Sequence, residues 1–167
     1  MSNNQQPYLS FLGGVQPVIL GLTKCQANLD RDLFRMAMKE RKDERVLFAD
    51  FKIGAIDNDH FDLSADFEVS IRVADGNQES EAEVYLKIDC SFYGHFHCHD
   101  NVDESNVRRF ADSEARIVFM PYLREFVSSL TAKMWIPPVM IPIGVSAGKD
   151  SGTRKARRRG RKRDVAL

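Results

Sequence analysis

The chain has 167 residues, 43% hydrophobic and 29% charged, which is the balance of one globular domain with a packed core and excludes a disordered chain. Lys plus Arg and Asp plus Glu number 24 each, but the charges are segregated. Residues 149–167 carry nine basic side chains against two acidic, and the remaining 148 carry 15 basic and 22 acidic, so an acidic body and a basic tail each attract their own class of partner.

In chain order, residues 1–14 are expected to form a flexible N-terminus, ahead of one domain over 15–147. Residues 15–28 and 45–56 are apolar and rich in branched and aromatic side chains, and both are predicted to be strands. Between them, 29–44 is charged, contains Met36 and Met38, and suits a loop or a short helix. The clearest signal is 60–74, where Phe61, Leu63, Ala65, Phe67, Val69, Ile71 and Val73 alternate with polar residues, the period of a strand buried on one face. Asp75-Gly76-Asn77 predicts a turn, after which Val84, Leu86, Ile88, Cys90, Phe92, Gly94, Phe96 and Cys98 resume the alternation. The two segments make a long antiparallel hairpin.

The pattern changes after Asp100. Residues 103–111 are short and polar, and Asp112 or Ser113 is expected to cap a helix with Glu114 in its first turn. Pro121 would bend it, and Tyr122, Phe126, Val127, Leu130 and Met134 form its apolar stripe. Three prolines then hold the apolar run 135–143 in extended geometry. Residues 148–167 lack an apolar period and are expected to be a disordered basic tail. The sum is an α+β fold: a four-stranded antiparallel sheet with a helix packed on one face.

Little in the chain points to catalysis. No strand-end carboxylate pair stands out from the scattered surface charge, and Gly13-Gly14 lacks the Lys-Ser or Lys-Thr of a phosphate loop, so neither an enzyme nor an ATP-driven machine is expected, and no cofactor. Cys25, Cys90 and Cys98 have no framework spacing, and no secretory leader opens the sequence, which predicts a reduced, cytoplasmic protein. No apolar run reaches the roughly 20 residues of a membrane-spanning helix, so membrane insertion is not expected. His95, His97 and His99 share one strand face, and a His-x-His pair on a strand can ligate zinc. An exposed sheet face tolerates histidines freely and no further ligand is defined, so no metal site is assigned. In the tail, Arg157, Arg158, Arg159 and Arg161 are candidates for electrostatic contacts. Such a run neutralises phosphates, yet it has no aromatic residue to stack on bases, which favours a solvated terminus over nucleic-acid binding. The last feature is surplus apolar surface around 134–143, suited to a core crossing, an oligomer interface or a groove for extended apolar peptide.

Residues 117–138, IVFMPYLREFVSSLTAKMWIPP, closely resemble the signature of the SecB family of protein-export chaperones: a Phe-Pro-Tyr-like opening of the helix, an acidic residue and Ser-Ser-Leu within it, and a Pro-containing apolar linker after it. The segments DFEVSIRVADG and EAEVYLKIDCSFYGHF resemble the third and fourth strands of that family, and the likeness extends over roughly 15–143. It implies a homotetramer, a dimer of dimers assembled through the helices, that holds unfolded clients without ATP along aromatic-lined grooves near the linker. Carried over by position, Phe119, Tyr122, Phe126, Trp135, Ile136, Val139 and Met140 would be client-binding or oligomer-interface residues. The family's second long helix is missing, and a tail of this charge departs from the export members' contact with the translocation motor. SecB-like proteins dedicated to toxin–antitoxin systems offer another precedent, with an aggregation-prone antitoxin as client. Three readings result: first a holdase for preproteins or an antitoxin, with the motor as a possible partner; then a nucleic-acid or adaptor module acting through the tail; then a zinc-dependent protein.

Overall fold

The computed structural model describes residues 6–40, 43–73, 83–99 and 102–141. Its strands are β1 Val15–Leu29, β2 Asp43–Ile56, β3 His60–Val73 and β4 Val84–Cys98, and its helices α1 Gln6–Gly14, α2 Arg31–Glu40, α3 Glu104–Ser113 and α4 Ala115–Lys133. All strand pairs are antiparallel, in the spatial order β1-β4-β3-β2. The α+β class and all four strands therefore agree with the sequence.

The two central strands have the strictest alternation because each is flanked on both sides while only one of its faces packs on helices. In register, Phe61 lies opposite Phe96, Ala65 opposite Phe92 and Phe67 opposite Cys90, all buried. The intervening pairs, Asp62 with His95 and Asp66 with Ser91, point the other way. Aromatic rings join the helices to the apolar face. Phe110 of α3 meets Phe61 and Phe96 edge-on, at 5.6 and 5.5 Å between centroids. Phe119 of α4 lies against Phe51 and Phe96, at 6.0 and 6.1 Å, and Phe126 stands edge-on to Phe92 at 6.1 Å. Burying each such ring stabilises the fold by about 1.5–3 kcal/mol. Gly94 is required beneath them: a Cβ there would lie 2.7 Å from the Phe96 ring, 2.8 Å from Phe119 and 2.9 Å from Leu20.

Four expectations are corrected. Residues 6–14, expected to be flexible, are helical because Tyr8 and Phe11, one turn apart, are both buried. Phe11 packs on Phe61 at 6.0 Å, and the Arg109 guanidinium lies 3.8 Å from the Tyr8 ring centroid. Residues 104–113 form α3, which the polar composition concealed; its buried residues, Val107, Phe110 and Ala111, have the i, i+3, i+4 spacing of a helix face. Neither Asp112 nor Ser113 is a cap, since both close α3. The break falls at Glu114, whose N–H still donates to Phe110 O at 2.9 Å before α4 begins. Finally, α4 buries Phe119, Met120, Leu123, Val127 and Thr131, so Tyr122 lies off the apolar stripe. The region 29–44, left open between loop and helix, holds α2. Its N-terminus is capped by Asp30, whose Oδ1 accepts the N–H groups of Asp32 and Leu33 at 3.0 Å. The expected turn at 75–77 and the basic tail lie outside the described residues.

Candidate functional site

α4 ends in a left-handed closure. Trp135 has φ 61°, the only positive value at a non-glycine position among the described residues. Its N–H donates to Ala132 O at 3.1 Å and that of Ile136 to Thr131 O at 3.3 Å, the pair of bonds that satisfies the last carbonyls of a helix. Glycine ordinarily occupies this position, and a side chain there costs about 1–2 kcal/mol. The indole gains no burial in return, being 89% exposed.

The linker is fastened to the body from there on. Thr131, fully buried, donates its hydroxyl to Val127 O at 2.8 Å and accepts the Val139 N–H at 3.1 Å. Arg45 Nη1 of β2 donates to Met140 O at 2.8 Å. Ile136, Val139 and Ile141 turn inward and are buried, whereas Met140 is 54% exposed. The segment is thus a strap with one face in the core and the other outward.

This geometry divides the residues carried over from the sequence. Phe119 has no accessible surface; it is corrected from a surface candidate to a core ring, enclosed by Phe51 and Phe96. Ile136 and Val139 anchor the strap, and Phe126 is half-buried against Phe92. Tyr122, Trp135 and Met140 remain exposed. Sequence reasoning missed two further features. β1 occupies a sheet edge and exposes Val18, Ile19 and Leu22, an apolar strand with a free hydrogen-bonding side. Ile117 lies exposed on α4, five residues before Tyr122 and so on the other flank of the outward side of the helix. A cleft of about 460 Å³ also opens between β2 and the α3–α4 junction, lined by Leu47, Phe51, Ala111 and Arg116.

The sheet face turned away from α3 and α4 is polar. Lys52 Nζ reaches Asp66 at 2.6 Å and Ser91 Oγ donates to the same carboxylate at 2.6 Å, and these two bonds hold the Asp66 pKa below its ordinary value. His95, His97 and His99 share this face as the alternation predicts, His60 joins them from β3, and His95 is paired with Asp62 at 2.7 Å. Cys90 and Cys98 are buried and Cys25 is exposed; burial pushes the Cys90 thiol up to about 12. Arg157, Arg158, Arg159 and Arg161 lie outside the described residues. Among those described, no helix is long and apolar enough to cross a membrane.

No family model and no curated protein matches the chain. Among solved structures, the SecB-like chaperone Rv1957 of Mycobacterium tuberculosis, in complex with a ChAD peptide from the Rv1956 HigA1 antitoxin, is similar over 85% of this chain and 99% of its own, at a TM-score of 0.63 and 20% identity. The fold is that of a SecB-like chaperone. A protein of unknown function from Streptococcus agalactiae aligns over 77% of this chain and 96% of its own, at a TM-score of 0.45 and 8% identity.

Proposed function

We propose that the protein is an ATP-independent holdase that binds non-native polypeptide through the exposed apolar side of the strap, with Trp135, Met140 and Tyr122 as contact residues. The observation that carries this reading is Trp135: a large indole held out in solvent on an unfavourable backbone stabilises nothing in its own chain. Side chains of this kind, aromatic or flexible like Met, adapt to many apolar sequences. Rv1957 was solved with an antitoxin peptide bound, which favours a dedicated antitoxin-type client over secretory precursors at large. The apolar edge of β1 would pair with a second copy, and the outward side of α4 around the exposed Ile117 would join dimers into a tetramer. The tail, through Arg157, Arg158, Arg159 and Arg161, would dock on an acidic partner, whether that is a client, a translocation motor or another chain.

The test is light scattering of an unfolded client without nucleotide, run with the intact protein, with Trp135→Asp plus Met140→Asp, and with the chain cut after Gly148. Suppression at near-stoichiometric ratio that the two aspartates abolish and the cut preserves supports the reading. Failure of the intact protein against both a generic unfolded client and an aggregation-prone antitoxin would defeat it. The tail reading has its own signature: binding to nucleic acid that falls steeply with salt and disappears with the cut.

A further inference from the structure

The chain contains four histidines, and the fold gathers all of them at one end of the polar sheet face. His60 stacks on His95 with centroids 5.0 Å apart and planes 10° from parallel, meets His97 at 4.8 Å, and His97 in turn meets His99 at 5.0 Å. Asp59 adds a carboxylate that addresses two rings through different oxygens: Oδ1 lies 2.7 Å from His60 Nδ1 and Oδ2 4.0 Å from His97 Nε2. We propose that Asp59, His60 and His97 bind a first-row divalent transition-metal ion.

Three properties support this assignment. The first is spacing. Ligand atoms of these three residues all lie within 4.8 Å of one another. Zinc bonds of 2.0–2.1 Å in a tetrahedron put ligand atoms about 3.4 Å apart; the 2.7 Å from His60 to Oδ1 and the 4.0 Å from His97 to Oδ2 lie on either side of that value, so the trio stands near ligating distance before any ion binds. The second is the scaffold. His60 and His97 are register partners on adjacent strands, and the turn that carries Asp59 is fixed by three main-chain bonds: Asp57 N–H to His60 O at 2.8 Å, Cys98 N–H to Asp59 O at 2.8 Å, and Val102 N–H to Asn58 O at 2.9 Å. The ligands therefore stand on backbone that binding need not rearrange. The third is the donor set. Two imidazoles and one carboxylate suit zinc, cobalt, nickel or copper and are poor for magnesium or calcium, which prefer oxygen alone. The side chains are about one-third exposed for His60 and His97 and 60% exposed for Asp59, so a fourth position is open to water.

Around this trio, His95 is held by Asp62 at 2.7 Å and buttresses the His60 ring, the kind of neighbour that fixes a ligand's orientation. A bare polar face has no need of such convergence, because exposed ion pairs contribute at most about 1 kcal/mol. Bound metal would staple the turn between β2 and β3 to the far end of β4. It would make that corner of the sheet more rigid without touching the strap on the opposite face.

The test uses the full chain without an oligohistidine tag. Calorimetric titration with ZnCl₂ should give one ion per chain, and Co²⁺ should produce the visible absorption of a tetrahedral nitrogen-oxygen site without a thiolate charge-transfer band. His60→Ala and His97→Ala should each weaken zinc binding at least tenfold, while Cys25→Ser leaves it unchanged. No stoichiometric binding, binding indifferent to both histidine substitutions, or a cobalt–thiolate band in the intact protein would each overturn the site. The cobalt spectrum decides the matter even if a variant folds poorly.

Discussion

The Thr131 hydroxyl accepts the Val139 main-chain N–H at 3.1 Å from inside α4, eight residues earlier in the chain. One oxygen thereby bonds both the helix that precedes the strap and the strap itself, within a fully buried environment. Thr131→Val keeps the shape but leaves the Val139 N–H without an acceptor, and should destabilise the protein by about 1–3 kcal/mol. Thr131→Ser retains the bond. Urea denaturation reads the difference, and amide exchange should accelerate at Val139 in the valine variant alone.

Trp135 separates stability from function. Trp135→Gly removes a left-handed residue with a Cβ and sacrifices almost no buried area, so it should stabilise by about 1 kcal/mol. The same substitution should weaken client binding. A variant with a higher melting temperature and poorer suppression of aggregation is the expected result; a parallel change in both would argue against a contact role for the indole.

Gly94→Ala tests the packing under Phe119. Its Cβ would fall within 3 Å of Phe96, Phe119 and Leu20, two of which are fully buried rings that have nowhere to go. Overpacking of this kind costs about 1–3 kcal/mol, measurable as a lower urea midpoint.

Acid should weaken the protein partly through Asp66. Its pKa in the fold is held below the ordinary 3.8 by Lys52 and Ser91, so its contribution is complete above that value and is lost as pH falls through the lower, folded one. Asp66→Asn should therefore flatten the loss of stability below about pH 4. Urea midpoints of the two proteins between pH 5 and pH 2.5 check this. The carboxylate is 42% exposed, so the effect should be small and should shrink further in salt.

β3 and β4 were legible because water lies on one side of them and helices on the other, which writes burial directly into alternate residues. α3 was concealed by the same logic inverted: Val107, Phe110 and Ala111 are its whole buried face, and three apolar positions among charged ones are easily taken for a loop. α1 offered even less, two rings one turn apart next to Gly13-Gly14. At the candidate surface, the resemblance located the right segment but could not separate Phe119 from Tyr122. They are three residues apart on an apolar helix, and only the packing of Phe51 and Phe96 decides which one faces inward. The left-handed backbone at Trp135 had no sequence signal, since glycine is the usual mark of that conformation.

The strand order β1-β4-β3-β2 has a kinetic consequence. β1 and β2 follow one another in sequence yet sit on opposite edges: β2 pairs with β3, the next strand made, whereas β1 has no partner until β4 exists. Val15 must find Cys98, a closure of high contact order that is slow and comes late. On the ribosome, β1 emerges before β2, β3 and β4 but has no place to pair until β4 has followed it out. For that interval an extended segment bearing Val18, Ile19 and Leu22 is unpaired in water, and refolding yield should therefore fall as protein concentration rises.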